Sequence, residues 1–145
     1  MAVDVQTEIE IARERSAVAA YAIDPGNAPA WYRNIESVEW RTEPPLAVGS
    51  RLAFVAKFLG RRLAYTYEVV EHVPDERFVM RTAEGPFPME TTYTFQDAGD
   101  GGTRITLRNA GQPAGFGKIA APVMARAMRQ ANTKDLRQLK TILES

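Results

Sequence analysis

Apolar and polar side chains alternate along most of this chain, the pattern of antiparallel strands with one buried face. In the first such run, residues 3–11, valine, threonine and isoleucine side chains share one face, and aspartate, glutamine and glutamate side chains share the other. Six further runs follow, separated by turn-forming residues, at 37–43, 50–59, 62–73, 77–84, 89–95 and 103–109. The alternation therefore predicts seven strands.

Two other regions predict helices. Residues 15–32 contain two short helical segments, separated by the turn sequence Asp24-Pro25-Gly26. From residue 121 to 144 apolar side chains recur every three or four positions, which predicts an amphipathic helix about 36 Å long at roughly 1.5 Å per residue. Pro122 either lies in the first turn of this helix or kinks a longer one. The apolar stripe of the helix and the apolar face of the sheet should bury each other.

Length and composition restrict the classes of function. The 145 residues fit one domain, residues 1–145, and Lys plus Arg (18) balances Asp plus Glu (18), so net charge gives no indication of nucleic-acid binding. The absence of cysteine excludes disulfides and thiolate sites, and the single histidine, His72, excludes a multi-histidine metal site within one chain. We therefore expect no metal, no cofactor and no specific nucleic-acid binding.

The sequence also bears on location and partners. The N-terminal segment carries acidic residues where a signal peptide needs a positive start and an apolar core. No apolar run approaches the roughly 20 residues of a membrane span. We expect a cytoplasmic protein without membrane insertion, whose partner is a small hydrophobic ligand, and a homodimer is left open.

The order of elements and several motifs resemble a known superfamily. The motifs are the Pro25 to Trp31 region, Val48-Gly49-Ser50-Arg51, FLGRRLAYTYEV at 58–69, GPFPMETTYTF at 85–95, GDGGTRITL at 99–107 and the helical sequence at 120–144. Together they resemble the START, polyketide cyclase and birch-pollen-allergen (SRPBCC) superfamily, and most closely its bacterial polyketide cyclase/dehydrase-like proteins. The resemblance implies an α+β helix-grip fold, in which a seven-stranded antiparallel sheet curls around the C-terminal helix and leaves a hydrophobic cavity. Members include cyclases, lipid carriers, hormone receptors and chaperone regulators.

Side-chain parity selects candidate ligand-binding residues. Those on the apolar face of the strands and on the helix stripe that meets it are Phe54, Phe58, Tyr65, Tyr67, Tyr93, Met124 and Met128. Phe87 is held between Pro86 and Pro88, and we expect it at the cavity entrance beside Trp31 and Tyr32. The hypothesis is an apolar cavity of several hundred Å³, the usual range for small-molecule sites, with phenol groups for ligand oxygens. The alternative is that these side chains only fill the core.

Ionisable residues give weaker indications. The parity of His72 predicts the outer sheet face or a loop. Asp135 lies at the edge of the helix stripe, and it either points outward and pairs with an arginine or points inward with a raised pKa. The sequence shows no evident pair of catalytic acid and base, so no catalytic residue is assigned and enzymatic activity is undecided.

Three functions remain open. The first is binding of a small hydrophobic or aromatic molecule, of lipid, polyketide or isoprenoid type. The second is a cyclase or dehydratase reaction in the same cavity. The third is a partner-binding module without a ligand. Inward polar groups within bonding distance of one another would favour the second, and a filled core with an exposed apolar patch would favour the third.

Overall fold

The computed structural model describes residues 2–116 and 119–145. The strands are β1 (Val3–Ile11), β2 (Ile35–Trp40), β3 (Arg51–Phe58), β4 (Arg61–Val73), β5 (Arg77–Glu84), β6 (Met89–Asp97) and β7 (Thr103–Gly111). The helices are α1 (Arg15–Ile23), α2 (Ala28–Trp31) and α3 (Ala121–Glu144), with short 3₁₀ turns at Pro25–Asn27 and Gly99–Gly101.

All neighbouring strands pair antiparallel, in the order β1-β7-β6-β5-β4-β3-β2. Strands β2 to β7 therefore form a meander, and β1 joins it at the end by pairing with β7. The predicted seven-stranded antiparallel sheet is confirmed, and so is the α+β helix-grip arrangement with two short helices after the first strand.

Helix α3 covers the concave face of the sheet. Its residues Leu136, Leu139 and Leu143 are buried in one cluster with inward residues of the strands, among them Leu52 and Ile105. Two cationic side chains of α3 also donate hydrogen bonds to carbonyl groups of the edge strand β1, Arg129 to Gln6 at 3.0 Å and Lys140 to Glu10 at 2.7 Å. The helix thus satisfies carbonyl groups of an edge strand while it closes the core.

Proline explains where α3 begins. Pro122 lies in its first turn, where a missing backbone N–H costs no helical hydrogen bond, so the first of the two predicted alternatives is the correct one. Among residues 2–116 and 119–145, no helix is both long and apolar enough to cross a membrane.

An irregularity in β4 changes the face on which His72 lies. The register between β4 and β5 shifts between Val69 and Glu71, so His72 stands opposite Phe78, a buried residue of the inner face. The two rings meet edge to face with centroids 5.5 Å apart. The predicted outer-face or loop position of His72 is therefore wrong, because one extra residue in a strand inverts the parity of every residue after it.

The end of β7 approaches the chain before β6 very closely. Gly111 stands in register with both Val3 and Met89, and a Cβ atom at this position would lie 2.3 Å from the carbonyl oxygen of Pro88. Gln112 N–H donates to the same oxygen at 3.0 Å. Because Gly111 has no side chain, the backbone at Pro88 can pack directly against it. This contact and the hydrogen bond from Gln112 hold the segment that carries Phe87.

We expect Gly111→Ala to lower the free energy of unfolding by about 1–3 kcal/mol, the usual cost of overpacking, because the backbone of Pro88 must move. The matched control is Gly99→Ala, where an added Cβ would have no neighbour within 4 Å. Urea unfolding measures both variants. Equal stability of the two would contradict the close approach at Pro88.

Candidate functional site

A cavity of about 160 Å³ lies between the concave face of the sheet, α3 and the segment around α2. Its inner wall is formed mostly by the strands and by one face of α3: Leu52, Phe54, Leu63, Tyr65, Tyr67, Met80, Thr91, Tyr93, Asn109, Met128, Ala131, Asn132 and Asp135. Tyr32, which follows α2, completes this wall. Exposed lining residues mark its mouth, namely Asp24, Lys57 and Pro86.

The structure brings together seven of the nine side chains that the sequence selected. Those in the cavity wall are Phe54, Phe58, Tyr65, Tyr67, Phe87, Tyr93 and Met128. The expected volume of several hundred Å³ is wrong, because four tyrosine rings, from β4, β6 and the segment after α2, occupy part of the space between sheet and helix. A dry cavity of about 150 Å³ admits benzene, so the space here suits a molecule built on one ring.

Trp31 and Met124 do not line the cavity, and the expectation for both is wrong. Trp31 is fully buried behind the wall, where its ring contacts Tyr32 at 4.0 Å and Tyr93 at 6.0 Å between centroids. It therefore supports two lining phenols and does not stand at the entrance. Met124 is fully buried in a second cluster with Val3 and Val5, because the first turn of α3 already covers β1.

Three phenylalanines meet near the mouth. The ring of Phe116 lies 5.8 Å from that of Phe58 and 5.9 Å from that of Phe87, measured between centroids. The guanidinium of Arg61 stands 5.4 Å from the centre of the Phe116 ring and donates a hydrogen bond to the carbonyl of Ala114 at 2.6 Å. Arg61 thus fixes the segment after β7 against β4, and the stiff Pro-Phe-Pro sequence places Phe87 at this mouth.

One polar chain in the wall is satisfied internally. The hydroxyl of Thr91 donates to Oδ1 of Asn109 at 2.6 Å, and the hydroxyl of Tyr67 lies 3.0 Å from Oγ1 of Thr91. Because threonine has one hydroxyl hydrogen and gives it to Asn109, Tyr67 must be the donor to Thr91. Tyr67 therefore has no hydrogen left for a ligand, although its oxygen can still accept one.

A second polar pair is formed by the hydroxyls of Tyr32 and Tyr93, which share a hydrogen bond. Since each phenol has one hydrogen, the pair uses one and keeps one for another acceptor. Burial raises the pKa of Tyr32, Tyr65 and Tyr93 well above the ordinary value for tyrosine, and it raises the pKa of Tyr67 to about 12. All four lining phenols are therefore neutral at physiological pH.

Asp135 is the buried ionisable group of this wall. Its side chain is 3% exposed, and its Oδ1 accepts a hydrogen bond from the backbone N–H of Arg33 at 3.0 Å. Among the described residues no basic side chain forms a salt bridge with it, so the predicted alternative of outward pairing with an arginine is wrong. Burial raises the pKa of this carboxyl to about 6.

Asn132 is a lining residue that the sequence reasoning missed. It lies one turn before Asp135 on α3, is buried, and its Nδ2 has no hydrogen-bond partner among residues 2–116 and 119–145. A buried donor without a partner is uncommon and needs an explanation, such as a bound molecule or water. The signal was present, because Met128, Asn132 and Asp135 follow the helical spacing of the apolar stripe.

The fold is a helix-grip arrangement of sheet and helix with an internal cavity. The chain belongs to the family described as polyketide cyclase / dehydrase and lipid transport, whose sequence model matches residues 2–144. No curated protein sequence matches this chain closely enough to count as a relative.

Solved structures of several organisms share the fold. TTHA0849 from Thermus thermophilus is 22% identical, with a TM-score of 0.83 and coverage of 97% of this chain and 96% of that one. A START superfamily protein from Mycobacterium smegmatis is 13% identical, with a TM-score of 0.84 and coverage of 97% of both chains. The ZhuI aromatase/cyclase from Streptomyces sp. R1128 is 17% identical, with a TM-score of 0.80 and coverage of 99% of this chain and 94% of that one. At identities this low, the structural similarity shows a shared fold and nothing further.

The raised pKa of Asp135 makes a prediction about stability. Its carboxyl has an ordinary pKa of 3.8 in the unfolded chain and a pKa of about 6 in the folded one, so the folded state favours the protonated form. The contribution of this group to stability is complete below pH 3.8 and is lost as pH rises through 6. We expect the free energy of unfolding of the wild type, relative to Asp135→Asn, to fall by about 2 kcal/mol between pH 4 and pH 7.

Denaturant unfolding of both proteins at several pH values measures this difference, and other carboxylates cancel because they are common to the two proteins. Asparagine can still accept the hydrogen bond from Arg33, so the comparison isolates the charge. A difference that stays constant with pH would show that Asp135 titrates near its ordinary pKa.

Proposed function

We propose that this protein binds a compact apolar or aromatic molecule in the cavity between the sheet and α3. The observation that carries the proposal is the cavity itself, which has a wall of aromatic and apolar side chains and a small number of inward polar groups. That combination is typical of small-molecule sites, where apolar surface provides affinity and a few polar groups set orientation. The family description, which names cyclisation, dehydration and lipid transport, is consistent with such a ligand.

The polar groups limit how a ligand is oriented. Hydrogens available to a ligand oxygen come from Tyr65, from one member of the Tyr32 and Tyr93 pair, and from Asn132, whereas Tyr67 offers only an acceptor. Donors and acceptors thus occur together on the inner wall. A single ring with one short polar arm matches both the volume and this arrangement.

The partner-binding alternative requires a filled core, and the cavity argues against it. Among the described residues, the exposed large apolar side chains come from different strands, turns and helices: Trp40, Val48, Leu59, Val73 and Val123. Single exposed apolar residues are normal on protein surfaces and define no interface.

Binding is tested with benzyl alcohol, a neutral single-ring probe, by nuclear magnetic resonance titration. We expect saturable shifts at cavity-lining residues in the wild type, and at least tenfold weaker binding in Ala131→Phe, because the new ring occupies the cavity. The control is Gln130→Phe, since Gln130 is exposed on the neighbouring face of α3 and does not line the cavity. Equal binding by all three proteins would contradict an internal site.

A second candidate is a cyclase or dehydratase reaction, and a specific observation favours it. Asp135, whose pKa is raised to about 6, lies close enough to Tyr32 and Tyr93 for its charge to raise the pKa of both phenols. A carboxyl group that titrates near neutral pH beside neutral phenols can serve as base and acids in proton transfer.

The test is aromatic cyclisation of a short poly-β-ketone thioester, followed by product analysis. If the protein is an enzyme, the wild type accelerates cyclisation and Asp135→Asn loses about 100-fold or more of that acceleration, the scale of general acid–base catalysis. Cyclisation at the uncatalysed rate by the wild type would leave binding as the function.

A further inference from the structure

We propose that the ligand of this cavity is a cation, a compact aromatic or apolar amine whose ammonium group binds Asp135 beside the Tyr32 and Tyr93 hydroxyls. This inference rests on the proposed function, because it names the chemical class of the molecule that the cavity takes. It is carried by the charges of the cavity wall, by the aromatic rings around Asp135 and by the cost of an unpaired buried carboxylate.

The charges that line the cavity do not balance. Two carboxylates, Asp24 and Asp135, contribute to the wall, and Lys57 is the one cationic side chain among the described lining residues. The Lys57 side chain is 67% exposed, and its Nζ stands 3.3 Å from Glu36, outside the wall. The mouth cation therefore has its own partner, and the interior retains the negative charge of Asp135.

No basic side chain among the described residues forms a salt bridge with Asp135. Arg33 donates its backbone N–H to the carboxylate and its positive charge also favours the ionised form, but its side chain is exposed and does not contact Asp135 as an ion pair. Burial remains the dominant influence on this carboxyl, and it raises the pKa to about 6, so the group is mostly ionised at pH 7.5. A buried carboxylate without a counter-ion is costly, and a ligand ammonium group within contact distance offsets that cost.

The surroundings of Asp135 also suit a cation. Tyr32, Tyr65 and Tyr93 line the same cavity, and aromatic ring faces attract ammonium groups, most strongly where water is excluded. The phenol oxygens can accept hydrogens from the ammonium group, including that of Tyr67, whose own hydrogen is given to Thr91. An anionic ligand such as a fatty acid would instead meet a like charge at this wall.

Three single-ring probes separate charge from shape. Benzylamine and benzyl alcohol have nearly the same shape, and benzylamine is a cation at pH 7.5, whereas benzoate is an anion. We expect benzylamine to bind the wild type at least tenfold more tightly than benzyl alcohol, and benzoate to bind most weakly. Titration followed by nuclear magnetic resonance gives all three dissociation constants on the full chain.

Two variants assign the effect to one carboxylate. In Asp135→Asn the tenfold preference for benzylamine falls to about one, while benzyl alcohol binds within about threefold of its wild-type affinity, since the cavity keeps its shape. The matched control is Asp97→Asn, which removes the same charge from an exposed residue paired with Arg15 outside the cavity wall. This control retains the full preference.

The pH dependence gives a second measurement that needs no variant. Groups facing Asp135 are Arg33 from the segment after α2, Tyr32 beside it and Tyr93 from β6, and the two phenols stay neutral between pH 5 and 7.5 because burial raises their pKa. Benzylamine also stays protonated. Its affinity should therefore rise severalfold across this range as Asp135 ionises, and that of benzyl alcohol should not.

The outcomes distinguish this inference from the proposed function. Saturable binding of benzyl alcohol, without a preference for benzylamine or with benzoate bound best, overturns the inference and leaves the proposed function in place. A preference for benzylamine that survives in Asp135→Asn also overturns it, because the charge would then act from elsewhere. Failure of all three probes to bind overturns the inference and the binding of a compact aromatic molecule together.

Discussion

The packing of α3 against the concave face of the sheet is the interaction on which the rest of this structure depends. A single helix meets a curved sheet closely only along part of its length. Leu136, Leu139 and Leu143 fill the core at one end, and Met124 covers β1 at the other. The middle of the helix, from Met128 to Asp135, faces a gap that is too wide for side chains of either surface to fill. The cavity therefore follows from the geometry of the fold, and its chemistry follows from the residues that the middle of the helix presents.

The polar groups in this otherwise apolar interior are of two kinds. Hydrogen bonds link Tyr67, Thr91 and Asn109 in one chain, and another links Tyr32 to Tyr93. Burial of these groups therefore costs little free energy, and the bonds hold the tyrosine rings in place. Asn132 and Asp135 differ, because the first has an unpartnered donor among the described residues and the second has one backbone partner. The first groups shape the cavity and keep part of their hydrogen-bonding capacity, whereas Asn132 and Asp135 keep most of theirs.

Most of the fold was predictable from sequence, because the strands have strict alternation and α3 has a long 3.6-residue period. Parity also selected five sheet residues, and all five line the cavity: Phe54, Phe58, Tyr65, Tyr67 and Tyr93. The prediction of which face a side chain occupies failed where a shift of one position reverses that face. An extra residue in β4 turned His72 inward, which alternation alone cannot reveal. On α3, Asp135 lies at the edge of the stripe, where neighbouring residues differ by about 100° and a small rotation decides burial. The cavity volume was overestimated because the sequence does not reveal the curvature of the sheet, and that curvature decides how closely the inward rings approach one another.

Asp135 also connects stability with ligand choice. A carboxyl whose pKa is raised by burial destabilises the folded chain at neutral pH, and an apolar residue of similar size would be more stable at this place in the core. Sites that bind or react are commonly the places where a fold gives up stability in this way. In the proposed site the same charge would discriminate among ligands, since it disfavours acids that an uncharged apolar cavity of the same volume would accept. Under that proposal, one residue on the middle turn of α3 converts a void produced by packing into a site that distinguishes ligands by charge.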